Sequence, residues 1–172
     1  IEMWLTFKKP LTDEAFSWET GDSYLFRYAA AESGQALMLN VKNDLGIVVF
    51  TVYNGSGDWE TGAIQVPSTY NEITVDTPIL FTMTFSRSQD RAALYLNGFK
   101  VAQDYYDLII SEAQSFVVGN SNVLVDELRI HSAALSPEMV RDSYMRGRPF
   151  SANEVYLSGK VEEGDVVELS FG

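Results

Sequence analysis

From Leu94 to Gly147 the chain dictates an order of elements that few architectures accommodate. Leu94-Tyr95-Leu96 runs into Asn97-Gly98, where the glycine can take positive φ at no steric cost and close a tight hairpin. A second strand leaves that turn at Phe99. Val123-Leu124-Val125-Asp126-Glu127-Leu128-Arg129-Ile130 follows, then Ala133-Ala134-Leu135, then a helix start at Ser136-Pro137-Glu138. A hairpin, a further strand and one late helix leave an all-β architecture as the frame.

The preceding residues fit that frame. Strands are expected at Met3–Phe7, Tyr24–Tyr28, Ala36–Val41, Ile47–Tyr53 and Ile79–Ser86, and turn signals such as Gly21-Asp22, Ser33-Gly34 and Asn54-Gly55-Ser56-Gly57 separate them. Within Ile79–Ser86, Phe81, Met83 and Phe85 alternate with Leu80, Thr82 and Thr84, so one face is larger and more apolar than the other. Ala92–Asn97, Phe99–Gln103, Ser115–Val118 and Leu124–His131 complete the series. Short strands at regular spacing predict two packed antiparallel sheets.

The one helix is marked at both ends. Ser136 suits the N-cap and Pro137 the first helical position, where no amide donor is needed. Glu138 sets negative charge at the positive end of the dipole, with Arg146 and Arg148 toward the other end. Met139, Val140, Ser143 and Tyr144 share a side at helical spacing, and Gly147 supplies the stop. A helix of this kind either offers a surface to a partner or packs under the edge of the sandwich; the second is expected.

Composition narrows the function. With 24 acidic against 12 basic residues the formal charge is −12. Such a surface repels a phosphate backbone, and no Lys/Arg stripe with interleaved aromatics occurs, so nucleic acid is not an expected partner. The same balance disfavours anionic lipid, and apolar runs such as Leu45–Tyr53 are too short to insert into a bilayer. There is no cysteine, which removes disulfides, thiolate metal sites and cysteine nucleophiles. The chain opens with Ile1 and not Met, which reads as a processed or trimmed start, so the lack of a leader says nothing about secretion.

The Leu94–Gly147 stretch resembles the laminin G-like, concanavalin A-type jelly roll, in which a strand reading roughly "LYvDG" is followed by a "vDEvrIy…aLs.eEi" tail. The resemblance implies a two-sheet antiparallel sandwich over residues 1–150 with one short helix near 136–146. Residues 151–172 depart from the pattern. Glu154–Val161 and Val166–Phe171 read as two strands of a C-terminal hairpin completing or extending the same domain. Family members also begin with a strand resembling "alsFdG", which this chain lacks ahead of Trp4 and which Leu169-Ser170-Phe171-Gly172 resembles. The terminal strand is therefore expected beside Met3–Phe7, within one chain or between copies in a homo-oligomer.

The same fold houses glycoside hydrolases, whose relatives of the laminarinase kind carry Glu-x-Asp-x-x-Glu along one strand. No such triplet occurs here, and Asp126 and Glu127 fall on opposite faces. His131 is the only histidine, and no Gly-x-Ser-x-Gly elbow presents a nucleophile. No enzymatic activity is expected. Aromatic residues are the stronger signal, because rigid rings bury the C–H faces of sugars with little entropy loss. Trp18, Trp59, Tyr53, Tyr70, Tyr105 and Tyr106 lie near loops or strand ends, with Asn54, Asp58, Asn71 and Asp104 able to hydrogen-bond beside them. Tyr53 to Tyr70 concentrates these groups, so Tyr53, Asn54, Asp58, Trp59 and Tyr70 are the candidate ligand-binding residues; the structural alternative is that they cover loops and cap the core. Trp4, inside a strand, is a core residue. Calcium is the one cofactor the resemblance brings in, with Asp126 matching the Asp of its "vDE" motif; the alternative is a carboxylate accepting backbone N–H bonds at a strand end. These residues describe a non-catalytic surface recognition module, extracellular or on a cell or virion surface, that binds carbohydrate or a surface protein. The alternative is a structural subunit of a viral or cell-surface assembly.

Overall fold

The computed structural model describes residues 1–17, 23–29, 36–53, 63–66, 73–105 and 115–147. Its strands are β1 (Glu2–Phe7), β2 (Tyr24–Ala29), β3 (Ala36–Lys42), β4 (Ile47–Tyr53) and β5 (Ala63–Gln65). They continue with β6 (Ile79–Ser86), β7 (Arg91–Leu96), β8 (Phe99–Tyr105), β9 (Ser115–Val118) and β10 (Val123–Arg129), and one helix, α1 (Pro137–Gly147), follows. The first sheet runs β10-β1-β6-β7-β8 and the second β5-β4-β3-β2-β9. Every pairing is antiparallel. This is the expected two-sheet sandwich.

The core lies between the sheets. Met3, Leu5 and Phe7 of β1 and Phe81 of β6 face Leu39 of β3 and Phe50 of β4, all fully buried. Phe7 meets Phe16 and Phe81 edge to face, with ring centroids 6.0 and 6.3 Å apart, an arrangement favoured by the ring quadrupoles. Phe16 reaches the core from a single 3-10 turn, Glu14–Phe16, that sequence reading left unassigned. Asp13 caps it by accepting from the Ala15 amide at 2.8 Å, a bond that holds the Asp13 carboxyl below its ordinary value.

The Asn97-Gly98 turn forms as expected. Both residues have positive φ, 49° and 80°, as the tight hairpin turn of type I′ requires. The Asn97 Oδ1 also accepts from the Leu80 amide at 3.0 Å, which ties this hairpin to the neighbouring strand. Helix α1 lies over the outer face of the first sheet, with Val140 against Ala93 and Tyr95 and Tyr144 beside Trp4 at 5.9 Å. On the face toward the sheet Val140 and Ser143 are buried, and Tyr144 and Gly147 are partly buried. Met139, expected on it, is 53% exposed because it precedes Val140 by one residue, about 100° around the helix.

Two further expectations need correction, and one strand is new. β5 was not anticipated, and it makes the Tyr53–Tyr70 stretch partly a strand. The last strand of the first sheet ends at Arg129, so His131 lies beyond it. The strand expected at Val166–Phe171 lies outside the described residues, but its expected place beside β1 is already filled. β1 pairs with β6 on one edge and β10 on the other, and a strand has only two edges.

Candidate functional site

Strand register gathers several connections at one end of the sandwich. Tyr53, the last residue of β4, pairs with Ala36; Ala36 pairs with Ala29, and Ala29 with Ser115. The connections 30–35 and 54–62, and the approach to β9 through 106–114, therefore all attach at this end. Tyr105, 67% exposed, closes β8 opposite Arg91 at the same end, and the Asp104 carboxylate accepts from its amide at 2.8 Å.

Among the candidate binding residues, Tyr53 is placed by its backbone at this end, and Asn54, Asp58 and Trp59 belong to the connection between β4 and β5, outside the described residues. Tyr70 also lies outside them, and so do Trp18, Asn71 and Tyr106. The segment carrying Tyr70 attaches elsewhere. It leaves β5 at Val66, whose amide donates to the Val48 carbonyl at 3.1 Å, and rejoins at Ile73, which lines a cavity with Phe7 and Gly46 at the opposite end of the sandwich. Strand pairing thus brings Tyr53 and the 54–62 connection together and sets the anchors of Tyr70 apart from them. Sequence spacing could not reveal this, because β5 reverses the chain between the two.

At the Tyr53 end a pocket of about 260 Å³, open to solvent, lies between the sheets. Tyr28 and Phe50 form one wall and Met83 and Phe85 the other, and the segment Ile130–Leu135 crosses the mouth as a strap. The strap is fastened by the chain's only histidine. His131 Nε2 stands 2.8 Å from a carboxylate oxygen of Glu2, and the Thr82 hydroxyl donates to the other oxygen at 3.4 Å. Glu2 is 1% exposed, so its carboxylate depends on these donors for what water would otherwise supply. Sequence reading used His131 only to exclude chemistry; the pairing with a residue so distant in sequence left no local signal.

Asp126, the residue weighed as a calcium ligand, lies inside β10. Its Oδ1 accepts from the Glu127 amide at 2.8 Å, where Glu127 adopts φ +47° and β10 shifts register against β1. Glu127 in turn accepts from Arg129 at 2.6 Å, and Arg129 donates to Ser143 on α1 at 3.3 Å. Among the described residues no group of three or more His, Asp or Glu could hold a metal ion. On the outer face of the second sheet, the Arg27 guanidinium lies over the Tyr24 ring at 5.8 Å. Its Nε is buried without a hydrogen-bond partner, and the ring offers only partial compensation.

No protein-family model and no curated protein sequence matches this chain. Solved structures do match. The binding domain of Paraclostridial Mosquitocidal Protein 1 is similar at 19% identity and a TM-score of 0.57, over 85% of this chain and 36% of that one. The heptameric SAP-like pentraxin of Limulus polyphemus is similar at 16% identity and a TM-score of 0.57, over 92% of this chain and 76% of that one. The binding domain of botulinum neurotoxin serotype D is similar at 15% identity and a TM-score of 0.54, over 85% and 36%. The chain spans about a third of the length of the two toxin domains. No helix among the described residues is long and apolar enough to cross a membrane. At such identities the likeness is one of fold, and the two antiparallel sheets agree with it: the chain has the concanavalin A-like jelly-roll fold.

Proposed function

We propose that this chain is a non-catalytic surface recognition module whose ligand is a glycan, bound at the Tyr53 end of the sandwich. The observation that carries the reading is the register that joins Tyr53 and the connection bearing Asn54, Asp58 and Trp59 to the end where 30–35 and 106–114 also attach. In this reading Trp59 stacks on a sugar ring, Tyr53 flanks it, and Asn54 and Asp58 hydrogen-bond to hydroxyls. Two of the similar structures are themselves named as binding domains, which supports recognition as the general role. Such a module acts outside the cell or on a cell or virion surface.

A glycan array probed with the whole chain tests the reading. For any sugar found, Trp59→Ala is expected to weaken binding by roughly 1–3 kcal/mol, the scale for losing an aromatic anchor, while the melting temperature stays the same. Unchanged affinity with lost stability would assign Trp59 to loop packing. Tyr70→Ala belongs in the same series. Equal weakening would mean that 67–72 reaches the ligand from its distant anchors, and no weakening would confine the site to the Tyr53 end.

A further inference from the structure

The pocket beside the Ile130–Leu135 strap opens to solvent and reaches down to core residues of both sheets. It measures about 260 Å³ where the two sheets meet, room for a small ring system, since a cavity of about 150 Å³ accepts benzene. Its walls are aromatic and aliphatic: Tyr28, Leu37 and Phe50 from the second sheet, Met83 and Phe85 from the first. Polar groups lie around Thr84, His131 and Ser132. Charge is unfavourable to an anion here, because the Glu2 carboxylate stands behind His131 and the chain carries a net −12.

The geometry points to a binding site for a small neutral aromatic compound of one or two fused rings, its ring against the partly exposed Tyr28 and Phe85, above the buried Phe50 and Met83, and a single hydrogen-bonding group turned toward Ser132 and His131. The site lies at the same end as the sugar surface proposed above, but it is argued from other residues and does not depend on that reading. The strap gives entry without unfolding either sheet, since Ile130 is already 61% exposed at the mouth.

The whole chain, labelled with ¹³C at its methionine methyls, carries its own reporters, because there are only five methionines. Met83 lines the cavity, whereas Met139 is exposed on α1. Titration with indole is expected to move the Met83 methyl resonance saturably, by the ring current, and to leave Met139 in place. Benzoate, of similar size but charged, is expected to bind at least tenfold more weakly. Ala134→Trp, which fills the mouth, should abolish the Met83 shift; Ala133→Leu, a milder filling, should weaken indole at least tenfold and serves if the first variant does not fold. A stationary Met83, a shift shared with Met139 or one that never saturates, benzoate binding as well as indole, or full binding by a folded filled variant would each overturn the assignment.

Discussion

Gly98 carries two constraints. Its φ of 80° is one that L side chains rarely adopt, and a Cβ built there would stand 3.1 Å from the Tyr144 Cβ and 3.3 Å from the Arg141 Cα. Gly98→Ala should therefore destabilise the chain by roughly 1–3 kcal/mol in urea unfolding, combining backbone strain with overpacking against the helix. Tyr95 gives a pH dependence. Burial under α1 pushes its phenol above the ordinary value of 10.0. The folded value exceeds the unfolded one, so this contribution is whole below about pH 10 and is lost as pH rises through the folded value. The alkaline loss of stability should be shallower in Tyr95→Phe than in the parent chain, as read by melting temperature against pH. The hairpin role of Gly98 was legible in the sequence because turn chemistry is local. Its closeness to Tyr144 was not, since that depends on where a helix 40 and more residues later comes to rest.

At the scale of elements, α1 shows how strong local signals are when several agree. The Ser136 hydroxyl accepts from the Met139 amide at 3.3 Å, so Ser136→Ala should cost about 1 kcal/mol. Glu138 is held below its ordinary value of 4.5 first by its own backbone amide and then by the Ser136 hydroxyl. Its contribution is present above that ordinary value and is lost as pH falls through the lower folded one, so the acid dependence should flatten in Ser136→Ala. Ile47–Tyr53, Ile79–Ser86 and Ser115–Val118 were readable to the residue, because β-branched and aromatic runs met clear turn residues. β5 was not readable. Three residues, Ala63-Ile64-Gln65, are too few to show a period of two, and only pairing with Val49, Phe50 and Thr51 defines the strand. That omission hid the separation between the anchors of Tyr70 and Tyr53.

For the whole molecule, the architecture was legible and the completion of its edges was not. If residues 151–172 complete or extend this domain, they must use an edge other than those of β1. Removing residues 148–172 is then expected to lower stability by several kcal/mol, the scale of unburying side chains such as Leu169 and Phe171, without changing the number of chains per particle in solution. Loss of an oligomer on the same deletion would instead favour the assembly subunit, and no change in melting temperature or in oligomeric state would dismiss both.

The central place of β1 also has a bearing on how the chain is made. Leu5 pairs with Ile79 on one side and Val125 on the other, so neither neighbour exists while the early residues leave the ribosome. Met3-Trp4-Leu5-Thr6-Phe7 stays apolar and unpaired until synthesis has passed Ser86, and its second edge stays open until synthesis has passed Arg129. Pairing over such distances slows folding to about the millisecond-to-second range, and unpaired apolar strands are what nascent chains lose to aggregation. A strand that ends up among the best buried in the molecule thus spends part of its synthesis exposed.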